Sequence, residues 1–231
     1  MRFSRVLGRS ALVGAALAVF SGVAHAGGPP IAGGTVGTQL YKSGSENIFV
    51  KFLGREAQYT NDLHFYLTIG GAGEFLFRNQ DAAVGSEYEA TSSAGLAIGA
   101  EAIFSICANL GGAAPGTGCT AANQYYTGPE SRNPDDRFHA MVWTREQFLA
   151  GCAATPDKCD ANIVNLLADP EYGIVVGFED SFNHNIDGDF NDVVFAVRGV
   201  HVVPEPLTMT LLATGLAGMG GVGALRRRKK S

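Results

Sequence analysis

The chain has 231 residues, 46% of them hydrophobic, with 31 glycines, four cysteines and a formal net charge of −5. An acidic balance of this kind excludes non-specific binding to nucleic acid and favours the company of cations. The size suits one principal domain.

The opening stretch, "MRFSRVLGRSALVGAALAVFSGVAHA", places Arg2, Arg5 and Arg9 before an apolar run from Ala11 to Val23 and ends in small residues. This order predicts a secretory signal peptide over residues 1–26, cut after Ala26. The run is too short for a spanning helix. Residues 27–46 follow as a linker or first-strand region, and residues 47–203 read as a β-sandwich domain.

Period-two alternation of apolar and polar residues predicts strands over Ile48–Leu53, Leu63–Ile69, Glu74–Arg78, Ala97–Ala108, Phe138–Thr144, Gly173–Phe178 and Asp192–Val203. In "LHFYLTI", Leu63, Phe65, Leu67 and Ile69 share one face. "GGAG" (Gly70 to Gly73) supplies the positive-φ residues of a hairpin turn. Many strands and abundant glycine predict an all-β fold, an antiparallel, jelly-roll-like β-sandwich with one or two short helices.

Asn109–Asp136 is rich in glycine and proline and reads as a surface loop, in which Tyr125 and Tyr126 are candidate exposed rings for ligand contact. Thr144 with Gln147 three residues on predicts a capping box for the helix beginning "REQFLA", and Asp160–Ala168 predicts a second helix stopped by Pro170. Trp143, alone in a strand, reads as core. Cys107, Cys119, Cys152 and Cys159 all lie in the exported part, where oxidation is permitted. Of the three possible connectivities, Cys107–Cys119 with Cys152–Cys159 is the most economical; zinc ligation competes, but no CxxC pair is present.

The most unusual stretch is "EDSFNHNIDGDFNDVVF", where Glu179, Asp180, Asp187, Asp189 and Asp192 crowd beside apolar residues. Two like charges about 5 Å apart repel by roughly 3 kcal/mol at an effective dielectric of about 20. Such groups splay into water, share protons or surround a cation. Calcium takes six to eight hard oxygens, and Asp187, Asp189 and Asn191 in "DGDFND" alternate in a way that turns oxygens toward one centre. The candidate ligand set is therefore Glu179, Asp180, Asp187, Asp189, Asn191 and Asp192. The pattern departs from an EF-hand, with Asp192 at the sixth position and Arg198 at the twelfth. Asx-turns without metal remain the alternative.

These residues, with "YYTGPESRNPDDRFHAMVW" upstream, resemble the domain-of-unknown-function family 4114 of exported bacterial surface proteins. Asn133, Pro134, Asp135 and His139 match its looser segment, and the acidic residues match its characteristic polar positions. The resemblance implies an all-β extracellular module and supplies no reaction.

Pro204-Glu205-Pro206, the apolar segment Leu207–Leu225 and the cluster Arg226 to Lys230 resemble the PEP-CTERM sorting signal of exported Gram-negative proteins. Residues 204–231 thus read as a sorting tail whose apolar part spans the inner membrane with its basic end inside. The resemblance implies an exosortase-type partner, removal of the tail and delivery to the outer surface or extracellular matrix. Without three arginines of the leader, five basic residues of the tail and Glu205, nine basic and 21 acidic residues remain, a charge of −12.

No G-x-S-x-G elbow, H-E-x-x-H helix, Walker loop or dinucleotide fingerprint occurs, so no enzyme is expected. The functional expectation is a structural or adhesive surface module with a calcium loop. Its alternatives are a carbohydrate-binding module for extracellular polysaccharide and a hydrolase of glycan or protein.

Overall fold

The computed structural model describes residues 31–203, apart from 58, 109, 157–158, 160 and 182–187. The expected leader, the sorting tail with Pro204, Glu205 and Pro206, and Asp187 lie outside the described residues. Among those described, no helix is long and apolar enough to cross a membrane.

In chain order the strands are β1 (Thr35–Val36), β2 (Leu40–Lys42), β3 (Ile48–Gly54), β4 (Asp62–Tyr66), β5 (Glu74–Arg78), β6 (Glu87–Ala90), β7 (Glu101–Cys107), β8 (Gln124–Tyr126), β9 (Ala140–Thr144), β10 (Ile174–Phe178), β11 (Val193–Arg198) and β12 (Val200–Val202); the α-helices are α1 (Arg145–Ala154) and α2 (Ala161–Leu166). One sheet runs β1-β9-β10-β11-β3-β6, and the other runs β12-β2-β7-β4-β5 with β8 joined to β7. The pairings are antiparallel. Two strands share one edge of β7: β2 pairs at Ala102 and Glu101, and β8 pairs at Ser105 to Cys107.

Side chains alternate along a strand, so each strand of the first sheet feeds two layers. On β11, Val193, Phe195 and Val197 enter the core between the sheets, whereas Val194 and Ala196 join a layer on the opposite face. Phe104 meets Phe195, and Phe52 meets Phe77, with ring centroids 5.5 and 5.1 Å apart across the two sheets. Each such fully buried phenylalanine contributes about 2–3 kcal/mol.

The outer layer of the first sheet packs Leu53, Met141, Trp143, Val175 and Val194 against Phe148 and Cys152 of α1 and against Leu167. This helical cover explains why β9 to β11 are apolar on both faces. Trp143 is core, as expected, and its indole N–H donates to the Ile31 carbonyl at 3.0 Å. Helix α1 starts directly after β9 with the expected capping box: Gln147 N–H donates to the Thr144 hydroxyl, and Thr144 N–H to the Gln147 amide oxygen.

Several expectations change. The strand beginning at Leu63 ends at Tyr66, leaving Leu67 and Ile69 exposed at the tip of the β4–β5 hairpin. The stretch Asn109–Asp136 is not all surface loop, because β8 pairs within it and buries Tyr125 and Tyr126 at 1% and 8% exposure. Those rings have no free faces to stack on a ligand. Four short strands, β1, β2, β6 and β8, join those read from the alternation. The cysteines pair as the economical connectivity predicts, Cys107–Cys119 and Cys152–Cys159, with Cα atoms 5.4 and 5.3 Å apart.

Candidate metal centre

Four strand ends meet at one end of the sandwich: Glu179 follows β10, Asp192 precedes β11, His139 precedes β9 and Asn61 precedes β4. The antiparallel ladder continues one step past the strands themselves. Glu179 N–H donates to the His139 carbonyl at 2.9 Å, and Asp192 N–H to the Phe178 carbonyl at 3.1 Å. Those bonds set Glu179 and Asp192 side by side.

Asp180 then turns back, its N–H donating to Asp192 Oδ2 at 2.7 Å. From the other sheet the Asn61 side-chain amide donates to Asp180 Oδ2. Asn61 is itself held by Asn79, which accepts the Asn61 N–H at 2.9 Å and donates its own N–H to the Asn61 carbonyl at 2.9 Å. In consequence one carboxylate oxygen from each of Glu179, Asp180 and Asp192 lies within 4.8 Å of the others. Glu179 and Asp180 are buried; Asp192 is partly so. Burial, with the charge of Asp180 beside it, pushes the Asp192 carboxyl up to about 7.

The turn into Asp192 is fixed by packing. Phe190 adopts φ 55° and sits in the helical layer. Its carbonyl oxygen would lie only 2.1 Å from a Cβ placed at Gly177, so a glycine on β10 is what lets the turn approach.

His139 supports the same end from behind. The ring is fully buried and stacks on Tyr125 at 3.7 Å between centroids. Its Nδ1 lies 2.9 Å from the Glu179 carbonyl oxygen, an acceptor, so this nitrogen carries the hydrogen; Nε2 lies 3.0 Å from Asp135. Burial, with the charges of Asp135 and Asp180, raises the Tyr125 hydroxyl far above its ordinary range and keeps it protonated. Asn133 serves the backbone, accepting the Tyr126 N–H at 2.7 Å and donating to the Arg137 carbonyl.

Of the six expected ligands, Asp187 lies outside the described residues. Among the described residues Glu179, Asp180 and Asp192 converge, whereas Asp189 accepts the Asn191 N–H at 3.3 Å and its side-chain amide at 2.7 Å. The first of these bonds is an Asx-turn, the alternative geometry weighed for this loop. Asn191 also donates to Glu56 at 3.0 Å. Asn61 and His139, which aim and brace the group, gave only a weak signal as polar residues just before strands.

Three hard carboxylates at this spacing suit a divalent cation with oxygen preference. No family model matches the chain, and neither the curated proteins nor the solved structures contain a match to it.

Proposed function

We propose that this protein is an exported surface or matrix binding module on a jelly-roll-like sandwich frame, in which Glu179, Asp180 and Asp192 hold a calcium ion that locks one end of the two sheets together. The observation that carries the reading is the convergence of three carboxylates from two chain segments within 4.8 Å, two of them buried. A group like this needs a proton or a cation to offset its repulsion, and calcium accepts such oxygens while main-chain carbonyls and water complete its six to eight ligands.

The chain's own part in this is orientation. Asn61 fixes one Asp180 oxygen, and the Asp180 N–H fixes one Asp192 oxygen, so hydrogen bonds hold both carboxylates in place. The surface setting rests on the sorting-signal resemblance and the strongly acidic exported part. An exosortase-type enzyme acts as processing partner at Pro204-Glu205-Pro206, and extracellular polysaccharide or other surface proteins are the binding partners.

Thermal melting of the purified chain in millimolar calcium, against chelator and against magnesium, tests the metal. Calcium should add about 1–2 kcal/mol for an extracellular-grade site, and Asp180→Asn with Asp192→Asn should remove the increment. A wild-type melt indifferent to calcium refutes the assignment. Binding to matrix polysaccharide that is lost with chelator would join the site to the binding role.

A further inference from the structure

A second group of ligating side chains lies on β4 and β7 around the Cys107–Cys119 disulfide, where Cys107 pairs with Asp62, the residue after Asn61. His64 is buried on β4, and its Nδ1 stands 3.4 Å from Cys107 Sγ on the neighbouring strand. Ligand atoms of His64, Cys107 and Cys119 all lie within 4.8 Å of one another. Phe75 meets the imidazole edge-on at 5.7 Å and fixes its plane. Burial lowers the pKa of the ring and keeps it neutral, the form that binds metal.

Hydrogen bonds tie down the loop carrying Cys119 in addition to the disulfide. Asn123 accepts the Thr120 N–H at 2.7 Å and donates to the Gly118 carbonyl at 3.3 Å, so both neighbours of Cys119 are tied to one side chain. Further back, Gly116 N–H donates to Asp62 at 2.7 Å, and Arg78 donates to the Ala113 carbonyl at 2.7 Å. Leu110 N–H donates to the Thr60 carbonyl and Ala108 N–H to the Asn123 carbonyl, at 2.9 and 2.8 Å. Opening the sulfur–sulfur bond therefore leaves two thiols facing each other and the imidazole.

We infer that reduction of Cys107–Cys119 converts this staple into a thiolate-imidazole site for a zinc-class cation, with His64, Cys107 and Cys119 as its three protein ligands. In a tetrahedral zinc site with Zn–S about 2.3 Å and Zn–N about 2.05 Å, sulfur and nitrogen ligands stand about 3.6 Å apart and two sulfurs about 3.8 Å apart. The His64–Cys107 separation already matches the first figure, and the second needs only that the two sulfurs part. A dithiol reductant supplies two electrons and two protons to the bond, forming two thiols as its own sulfurs couple. Metal binding then releases both thiol protons to solvent. Cys119 is half-buried and gives the reductant access, whereas Cys107 is fully buried.

The test is zinc titration of the full chain, oxidised and after reduction, with cobalt as a spectroscopic substitute. The oxidised protein measures whatever zinc the carboxylates take. Reduction should add one tightly held equivalent, with a thiolate-to-cobalt charge-transfer band; Cys119→Ser should abolish that equivalent, and His64→Gln should weaken it at least tenfold. His64→Gln keeps its disulfide when oxidised, so its fold is checked in that state. Reduced wild type that binds no more zinc than oxidised protein overturns the inference, as does a His64→Gln variant that binds equally well. Loss of the fold on reduction alone overturns it too, since the hydrogen bonds would then not hold the loop. A negative calcium result leaves this outcome unaffected.

Discussion

The main-chain N–H of Asp180 donates to the Asp192 carboxylate at 2.7 Å, joining the exit of β10 to the entry of β11 across twelve residues. The bond makes the acidic loop part of the sheet rather than an appendage to it. It also forces Asp192 to carry its charge under cover.

The pH dependence of stability follows from that cover. Asp192 titrates at about 7 in the fold against an ordinary 3.8. Below the lower value both states hold the proton, and nothing is lost. Between the two, the folded chain keeps a proton that the unfolded chain has released, so stability falls as pH rises and levels off above about 7. The full loss is at most a few kcal/mol. Denaturant melts in chelator from pH 4.5 to 8 should show wild type losing stability relative to Asp192→Asn. A difference curve that is flat or slopes the other way contradicts the burial argument.

Gly177→Ala should destabilise the protein by more than about 2 kcal/mol, because the added methyl meets the Phe190 carbonyl oxygen at 2.1 Å and backbone must move. If the calcium reading holds, the same variant should bind the ion more weakly, since Phe190 places Asp192. Equilibrium unfolding and calcium titration read the two effects separately.

Arg78 and Asp62 form a buried ion pair, Nε to Oδ1 at 2.6 Å. Arg78→Met strands the Asp62 carboxylate and should cost about 3–5 kcal/mol, whereas Arg78→Met with Asp62→Asn should recover a large part. The single variant should also be cut faster by protease between Ala113 and Gly116, where Arg78 and Asp62 hold the chain. Urea melts and limited proteolysis check both.

Thr144→Ala removes half of the α1 capping box and should cost about 1 kcal/mol without altering the strand ends at the acidic group. Trp143 is the chain's one tryptophan and is 1% exposed, so its emission should be blue-shifted and shielded from acrylamide in the fold. An emission maximum typical of water-exposed indole would contradict the packing of α1.

The long strands were legible because their alternation is strong: Val193, Phe195 and Val197 mark one face of β11 without help from the rest of the chain. The capping box was legible for a similar reason, since it is a local exchange between Thr144 and Gln147. Strands of two to four residues, such as β2 and β8, carry too few periods to show. Tyr125 looked like a loop residue because its burial comes from His139 and β7, which only the tertiary fold brings there. The acidic stretch announced its charge density but not its geometry. Which carboxylates converge depends on Asn61 and the β10–β11 register, and both are long-range facts.

Gly199 alone separates β11 from β12, so the chain steps from the middle of one sheet to the rim of the other within a single residue. Tension applied beyond Val203 reaches β12 first, a three-residue strand that among the described residues pairs only with β2. It can peel away bond by bond at small force. The pull then arrives at β11, which is flanked on both sides by β10 and β3 and can leave only by breaking both ladders together. A molecule held by that end would give a little and then resist.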